Sequence, residues 1–327
     1  MRLATLDLGS NTVRLLVADV EAGGRGWCVV EADQRVTRLG EGLAARGRLG
    51  EAAAERTAAA VVEYVGRARR AAAERVAIVA TSAVREAANG PAFAAALERV
   101  TGERVLVVSG DEEAALTLAG VLGGLDDGHP RAGPTLVFDI GGGSTEFILA
   151  RGGAPVASVS LRLGVVDLAE RHPFPGPVDW PRYRALQAEI AARLAVEVPG
   201  EIRAARLGQL VGTAGTATTL AALDLGLPAY DAGRVQGHIL GRAAVETLLR
   251  RLGGLTVAER AALPCLEPGR ADLIVAGTAI VLATLDLTGA ARMVVSDRGL
   301  REGILARLSV SGLTGWGPLS MLGRQDG

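Results

Sequence analysis

Short apolar runs, several of them β-branched, alternate along the chain with longer stretches rich in Ala, Glu and Arg. Leu3–Leu8, Val13–Val20 and Trp27–Leu39 read as three strands, the last with apolar and polar residues in alternation. Glu51–Ala73 is composed of strong helix formers. Val76–Ala80 and Val105–Val108 are short β-branched strands, and Pro91 opens a helix between them. Asp111–Leu122 reads as a helix capped by Ser109 or Asp111, with glutamate in its first turn. Gly123–Pro134, rich in Gly, Asp and Pro, reads as a surface loop. Val156–Leu161 is a further strand, and Trp180–Val198, Thr213–Leu225, Ala243–Leu252 and Arg270–Leu287 are predicted helices. Met293–Ser296 reads as a strand leading into a final helix from Asp297, and the tail from Ser309 is expected to be loose. Strands interspersed with helices give an α/β class.

The second half repeats the opening. Thr135–Ala150 echoes Ala4–Ala18: strand, aspartate, Gly/Ser/Thr turn, strand. The two aspartates, Asp7 and Asp139, lie 132 residues apart. A solenoid repeats every 20–50 residues or so, and this spacing instead marks a duplicated domain. Two such lobes facing each other aim both turns into one cleft. The expected division is a first lobe at 1–122, a second at 123–308 and a tail at 309–327, with the helix at 297–308 packing back on the first lobe.

Composition narrows the function. Lys+Arg is 35 against Asp+Glu 36, which speaks against a protein that coats nucleic acid or an anionic membrane. Every one of those cations is Arg, so lysine Schiff bases and lysine-dependent phosphate loops are excluded. Three histidines make a His-rich zinc site unlikely to arise, and the two cysteines, expected as small buried hydrophobes, fit a reduced cytosol. Aromatics at 3% leave little for stacking single-stranded nucleic acid. The apolar run Leu273–Leu285 is too short to span a bilayer and reads as a buried helix, so the expectation is a soluble cytoplasmic protein.

The glycine turns carry the chemistry. In Asp7-Leu-Gly9-Ser10-Asn11-Thr12 and Asp139-Ile-Gly141-Gly142-Gly143-Ser144-Thr145, successive backbone N–H groups converge as an anion-binding nest. Glycine lets a phosphate approach without a Cβ in the way. Hydroxyls of Ser10, Thr12, Ser144 and Thr145 add donors, and Asp7 and Asp139 are placed to hold Mg²⁺ directly or through water. Either turn alone is equally well a flexible hairpin; the matched pair is what points to phosphate. A third turn, Gly212-Thr213-Ala214-Gly215-Thr216, joins a strand to a helix N-terminus, again suited to phosphate. In Ser109-Gly110-Asp111-Glu112-Glu113 one glutamate can face solvent while the other enters a cleft and takes a proton from water. Arg85 and Arg270 have the fork geometry for phosphate, though each is equally an ion-pair partner. Arg67, Arg69, Arg70 and Arg75 read as a solvated helix face.

Seven strings occur together: Leu6-Asp7-Leu8-Gly9-Ser10-Asn11-Thr12, Ala80-Thr81-Ser82-Ala83-Val84-Arg85-Glu86, Ser109-Gly110-Asp111-Glu112-Glu113-Ala114, Asp139–Glu146, Gly212–Thr216, Arg270-Ala271-Asp272 and Val295–Gly303. In that order, over residues 3 to about 308, they resemble the exopolyphosphatase / guanosine pentaphosphate phosphohydrolase (Ppx/GppA) family. The resemblance implies two similar lobes of the actin-like, sugar-kinase and heat-shock-chaperone ATPase superfamily, a duplicated ribonuclease H-like fold with an interdomain cleft. It implies removal of the terminal phosphate of inorganic polyphosphate, or of the 5′-γ-phosphate of guanosine pentaphosphate, with Mg²⁺ (Mn²⁺ as the alternative) and water. It places the catalytic glutamate on Glu113 and the metal- and water-organising carboxylates on Asp139 and Glu146. Its phosphate loops fall on Gly9–Asn11, Gly142–Thr145 and Gly212–Thr216, and it points to a homodimer.

Two features depart from the family. Many members continue into an all-helical region, whereas this sequence matches the short two-domain branch, which puts long-chain processivity in question. Members also commonly carry Arg after Leu163-Gly164-Val165-Val166, where this chain has Asp167, with Arg162 nearby to compensate. Polyphosphate is expected over guanosine pentaphosphate because aromatics are few. A non-catalytic binder would have no use for Glu113, Asp139 and Glu146 beside a polyanion. An ATP-dependent kinase would need an adenosine-site signature that is not evident.

Overall fold

The computed structural model describes residues 1–21, 26–125 and 133–311. The first lobe runs β1 (Arg2–Leu8), β2 (Thr12–Val20), β3 (Trp27–Val36), α1 (Leu43–Arg46), α2 (Glu51–Arg70), β4 (Arg75–Ala80), α3 (Ser82–Glu86), α4 (Gly90–Thr101) and β5 (Val105–Val107). Helix α5 (Gly110–Leu122) then leads toward the second sheet. The second lobe runs β6 (Thr135–Ile140), β7 (Thr145–Arg151), β8 (Ala154–Leu161), α6 (Val165–Arg171), α7 (Trp180–Glu197), α8 (Gly200–Arg203), β9 (Gln209–Thr213) and α9 (Ala214–Asp224). It continues through α10 (Ala232–Val235), β10 (Ile239–Gly241), α11 (Arg242–Gly253), α12 (Val257–Ala261), α13 (Ile274–Thr288) and β11 (Arg292–Val295), and α14 (Leu300–Ser311) ends the described chain.

The repeat read in the sequence is a repeat of topology. The first sheet has the order β3-β2-β1-β4-β5 and the second β8-β7-β6-β9-β11-β10. In each, an antiparallel hairpin and its third strand are followed by a parallel crossover: β1 pairs β4, and β6 pairs β9. This is the expected two-lobed α/β fold. Each hairpin is apolar on both faces because helices cover both sides of its sheet; β1 is buried from Leu3 to Leu8. The second lobe has its own large core, in which Phe138 and Phe147 stack at 6.5 Å between ring centres. The run from Leu273 is the buried helix it was expected to be, with every residue of α13 from Ile274 to Leu285 inside.

Helices α5 and α14 pack together between the sheets at backbone distance. A Cβ on Gly303 would lie 1.8 Å from the Leu116 carbonyl oxygen, and one on Gly120 1.9 Å from that of Gly299. Ile304, Leu305 and Leu308 of α14 are buried with Leu3, Leu16 and Val79 of the first sheet.

Several boundaries differ from expectation. The helix expected from Arg270 starts at Ile274, because Pro268 fixes a single 3₁₀ turn over Pro268–Arg270. The helix expected from Asp297 starts at Leu300, and it extends through Ser311 where a loose tail was expected; the tail beyond that lies outside the described residues. Arg75 belongs to β4, not to the α2 face that holds Arg67, Arg69 and Arg70. The cysteines are not buried: Cys28 is exposed on edge strand β3 and Cys265 is half-buried. Most of the loop expected at Gly123–Pro134, with His129, falls outside the described residues. The two other histidines hydrogen-bond carboxylates, His172 to Glu189 at 2.9 Å and His238 to Asp224 at 2.8 Å.

Candidate active site

The two hairpin turns meet tip to tip. In each, the first glycine closes the turn the same way: Gly9 N–H donates to Thr12 O at 3.1 Å, and Gly141 N–H to Ser144 O at 2.9 Å. A Cβ on Gly142 would come within 2.9 Å of Asn11 N, and one on Gly143 within 2.6 Å of Ser10 Oγ. Only glycine permits that approach. Helix α6 fixes the second turn from behind, its Val165 and Val166 N–H groups donating to Gly141 O and Gly142 O at 3.1 and 2.9 Å. Among the described residues, the backbone N–H groups of Ser10, Asn11, Gly142 and Gly143 donate to no other protein group. Ser10, Asn11 and Gly142 line the cleft between the lobes, so their N–H groups form a double nest open to an anion.

Two arginines approach the same space. Arg14, on β2 opposite Asp7, places Nη1 3.5 Å from Asp7 Oδ2. Arg270 lies across the start of α9, where a Cβ on Gly215 would sit 2.1 Å from its Nη1. The strand-to-helix junction is tight enough that Ala214 adopts a left-handed φ of 64°. Arg270 is held from both lobes: Glu267 of its own turn lies 3.3 Å away, and Gln34 of β3 accepts from its Nη2 at 3.0 Å. Burial, with Arg14 nearby, lowers the Arg270 guanidinium to about 10. Cations crowded this way gain from an anion between them.

Carboxylates occupy the opposite wall. At the start of α5 the two glutamates separate by role. Ser109 and Glu112 form a reciprocal capping box, Ser109 Oγ accepting from Glu112 N at 3.2 Å and Glu112 Oε2 accepting from Ser109 N at 2.8 Å. Glu113, one residue on, turns inward and is buried. Arg85 of α3 donates from Nη1 to Glu113 Oε2 at 3.0 Å and to the Val108 carbonyl at 2.8 Å. Glu146 faces Asp139 across β6–β7 and accepts from Ser160 Oγ at 2.7 Å. Burial first, and the Glu146 charge second, push Glu113 well above the usual carboxylate range. The same two causes push Asp139 up to about 7. Burial raises Glu146 as well, opposed by the Ser160 and Ser144 hydroxyls. Burial also raises Asp7, against the pull of Arg14 and Arg301.

The cleft therefore gathers Asp7, Gly9, Ser10, Asn11, Glu113, Asp139, Gly142, Ser144, Gly215, Thr216 and Arg270 of the residues singled out from sequence. Others stand back from it. Arg85 braces Glu113 instead of lining the cleft, and Glu146 lies behind Asp139. Gly143 faces the far side of the turns. Thr145 spends its hydroxyl on Leu163 O at 2.6 Å, so it shapes the turn. Gly212 sits inside β9, where a Cβ would press on the Phe138 ring and Met293 sulfur, each at 2.9 Å. Thr213 donates to Arg298 O at 3.0 Å. Asp167 pairs with Arg171 at 3.0 Å and Arg162 with Glu86 at 3.2 Å, on that same far side.

Sequence reasoning passed over Arg14 and Arg301. Both line a second cavity of about 540 Å³ that continues the cleft outward past Arg270 and Tyr230. Arg14 had a signal, since it occupies the repeat position of Glu146. Among the described residues no group of three or more His, Cys, Asp or Glu closes round one point as a metal cage. Asp7 Oδ1 is nonetheless buried without a hydrogen-bond partner beside a crowd of carboxylates. One or two carboxylates completed by water and substrate oxygens is how Mg²⁺ is usually held.

A family model described as the Ppx/GppA phosphatase family matches residues 16–311. Exopolyphosphatase 2 of Mycobacterium tuberculosis is 37% identical over 323 residues, covering 94% of this chain and 98% of its own length. The crystal structure of the Aquifex aeolicus Ppx/GppA family member is 32% identical with a TM-score of 0.77, covering 94% of this chain and 97% of that one. An exopolyphosphatase structure from Cytophaga hutchinsonii is 25% identical with a TM-score of 0.86, covering 94% and 98%. No described helix is long and apolar enough to cross a membrane.

Proposed function

This chain belongs to the Ppx/GppA phosphatase family and is a hydrolase, and from that premise we propose that it removes the terminal phosphate of inorganic polyphosphate as orthophosphate. The observation that carries the reading is the double nest: the backbone N–H groups of Ser10, Asn11 and Gly142, from two lobes and free of protein acceptors, belong to residues that line the cleft where a terminal phosphate would sit. Behind it, Arg14, Arg270 and Arg301 line the outward cavity and suit a run of further phosphates.

Phosphoryl transfer asks mainly for positioning and charge stabilisation. The nest N–H groups hold the equatorial oxygens of the terminal phosphoryl group. Glu113 takes a proton from a water, which attacks the terminal phosphorus. The bridging P–O bond breaks, and its electron pair stays with the oxygen of the shortened chain. Arg85 holds Glu113 Oε2, which fixes the side chain and favours its ionised form against Glu146 and Asp139. Asp7 and Asp139 would hold Mg²⁺, and Glu146 would order water beside it; the ion supplies positive charge against the phosphate oxygens.

A second reading, the 5′-phosphate of guanosine pentaphosphate, is favoured by one feature: the Tyr230 ring and Leu266 give the outward cavity an apolar side. Phosphate release from short polyphosphate, long polyphosphate and guanosine pentaphosphate, with and without Mg²⁺, tests both. Release from polyphosphate that needs Mg²⁺ is expected. Activity on the nucleotide alone would overturn the first reading, and full activity in excess EDTA would remove the metal.

A further inference from the structure

A third cavity, of about 270 Å³, lies on the far side of the paired turns. It shares three wall residues with the cleft: Ser10, Ser82 and Gly142. The two spaces are thus back to back. What separates them is thin. Ser10 Oγ and Ser82 Oγ hydrogen-bond at 2.9 Å, and Gly143 lies against that pair. A Cβ on Gly143 would come within 2.6 Å of one hydroxyl and 2.7 Å of the other, so any other residue there would wedge the partition.

The two sides also differ in how many arginines they carry. The outward cavity carries three arginines, Arg14, Arg270 and Arg301, among five acids, Asp33, Asp139, Glu267, Asp297 and Glu302. The rear cavity carries Glu86, Asp167 and Glu170 with Arg162 as its basic lining residue. Its acids are tied locally: Glu86 to Arg162 at 3.2 Å, Asp167 to Arg171 at 3.0 Å, Glu170 to the Gly42 N–H at 2.8 Å. Acids outnumber arginines on both sides, but the front offers an anion three guanidinium groups and the rear one.

We propose that the rear cavity is the exit for orthophosphate, reached when the Ser10–Ser82 hydroxyl pair swings apart. The inference rests on the polyphosphate reading. Cleavage leaves orthophosphate at the inner end of the cleft, with the shortened chain still filling the outward cavity. Leaving by the front requires the chain to dissociate first. Leaving by the rear lets the chain stay and advance by one residue. A cavity of this size has room for orthophosphate with part of its hydration shell. Its weak hold on anions favours release over rebinding.

The test separates formation of orthophosphate from its release. Ala44 of α1 is exposed at the rear cavity and touches nothing in the cleft, so Ala44→Trp obstructs the exit alone. Arg162→Glu removes its basic residue. Acid-quenched samples count all orthophosphate formed from a short polyphosphate, and a fluorescent phosphate-binding reporter counts what has left the protein. Both variants should form the first orthophosphate at the wild-type rate and release it at least tenfold more slowly, with KM for the chain unchanged. Release at the wild-type rate from both, each folded by thermal melt, would overturn the exit. The unaltered protein gives an independent check. Rear exit makes orthophosphate the first product out and a mixed inhibitor against polyphosphate; front exit makes it the last out and strictly competitive, which would also overturn the proposal. Absence of any orthophosphate in the quenched samples would overturn the polyphosphate reading, and the exit with it.

Discussion

The β1–β2 and β6–β7 hairpins repeat one another in topology and register, and the difference that bears on charge lies along one row of side chains. In the first lobe that row crosses three strands as Asp7, Arg14 and Gln34; in the second it runs Asp139, Glu146 and Ser160. Both aspartates are pushed upward by burial. Asp7 meets a cation across its hairpin, so the first row is close to neutral and its arginine remains available to an anion. Asp139 meets a second carboxylate, which adds to the burial that carries it to about 7. One backbone device thus carries an arginine beside its aspartate in one lobe and a second carboxylate in the other. Helix α5 adds Glu113 to the acidic side, so on the proposed reading the cleft has a binding wall and a reacting wall.

The largest expected effect falls on the reacting wall. Glu113→Gln keeps the shape of the side chain and its bond to Arg85 but cannot accept the water's proton, and general-base help is worth about 10²–10⁴-fold. kcat for orthophosphate release should fall by at least that much, while polyphosphate binding by calorimetry and the thermal melt stay as in wild type. Full activity would remove Glu113 from the role and leave the two walls without a chemical difference.

Next is the pH dependence of stability without metal. Asp139 titrates near 7 in the folded protein and near 4 when unfolded. A raised carboxyl pKa means the folded state binds the proton more tightly. The stability this contributes is whole below about pH 4 and is lost as pH rises through about 7. The loss is at most about 4 kcal/mol, since water in the open cleft screens part of it. Thermal melts in EDTA from pH 4 to 8 should show it, Glu146→Gln should reduce it, and Mg²⁺ should restore stability more at pH 8 than at pH 5. A flat profile in EDTA would mean that the second row is not strained by its charges.

Arg14→Gln comes third and tests the binding wall. A hydrogen bond to a charged partner contributes about 1.5–3 kcal/mol. KM for polyphosphate should therefore rise roughly ten- to a hundredfold, with kcat changed much less. Equal losses in kcat and kcat/KM would place Arg14 with the reacting groups and erase the distinction between the rows.

How far all this could be read from sequence depends on how local each cause is. The hairpins were legible because strand, aspartate and glycine turn lie within a dozen residues and recur 132 later. Glu113 was half legible: Ser109 and Glu112 have the capping-box spacing, which commits Glu112 and leaves its neighbour free. The role of Arg85 was hidden, since its partner comes from another helix 28 residues away. Thr145 and Gly212 have the residue types of a phosphate loop, yet one secures a turn and the other clears room for Phe138; composition cannot distinguish those jobs. The helices α1, α3, α6, α8, α10 and α12, of four to seven residues, have too few turns for an apolar period to show.

The finest comparison is between the row ends, Gln34 and Ser160, each a neutral residue on an edge strand supporting a charged group. Ser160 donates to Glu146 at 2.7 Å and so favours its ionised form. Ser160→Ala removes that preference, which raises the Glu146 pKa further. Because Glu146 couples to Glu113 and Asp139, the acid limb of kcat against pH should move upward, with KM unchanged. Gln34 instead bridges Arg270 and Glu267 of the other lobe, at 3.0 Å to each. Gln34→Ala should raise KM a few-fold through a looser Arg270 and leave the pH profile in place. The two smallest substitutions thus report on different walls, and the same shift in both measurements for both variants would show that the rows act as one unit.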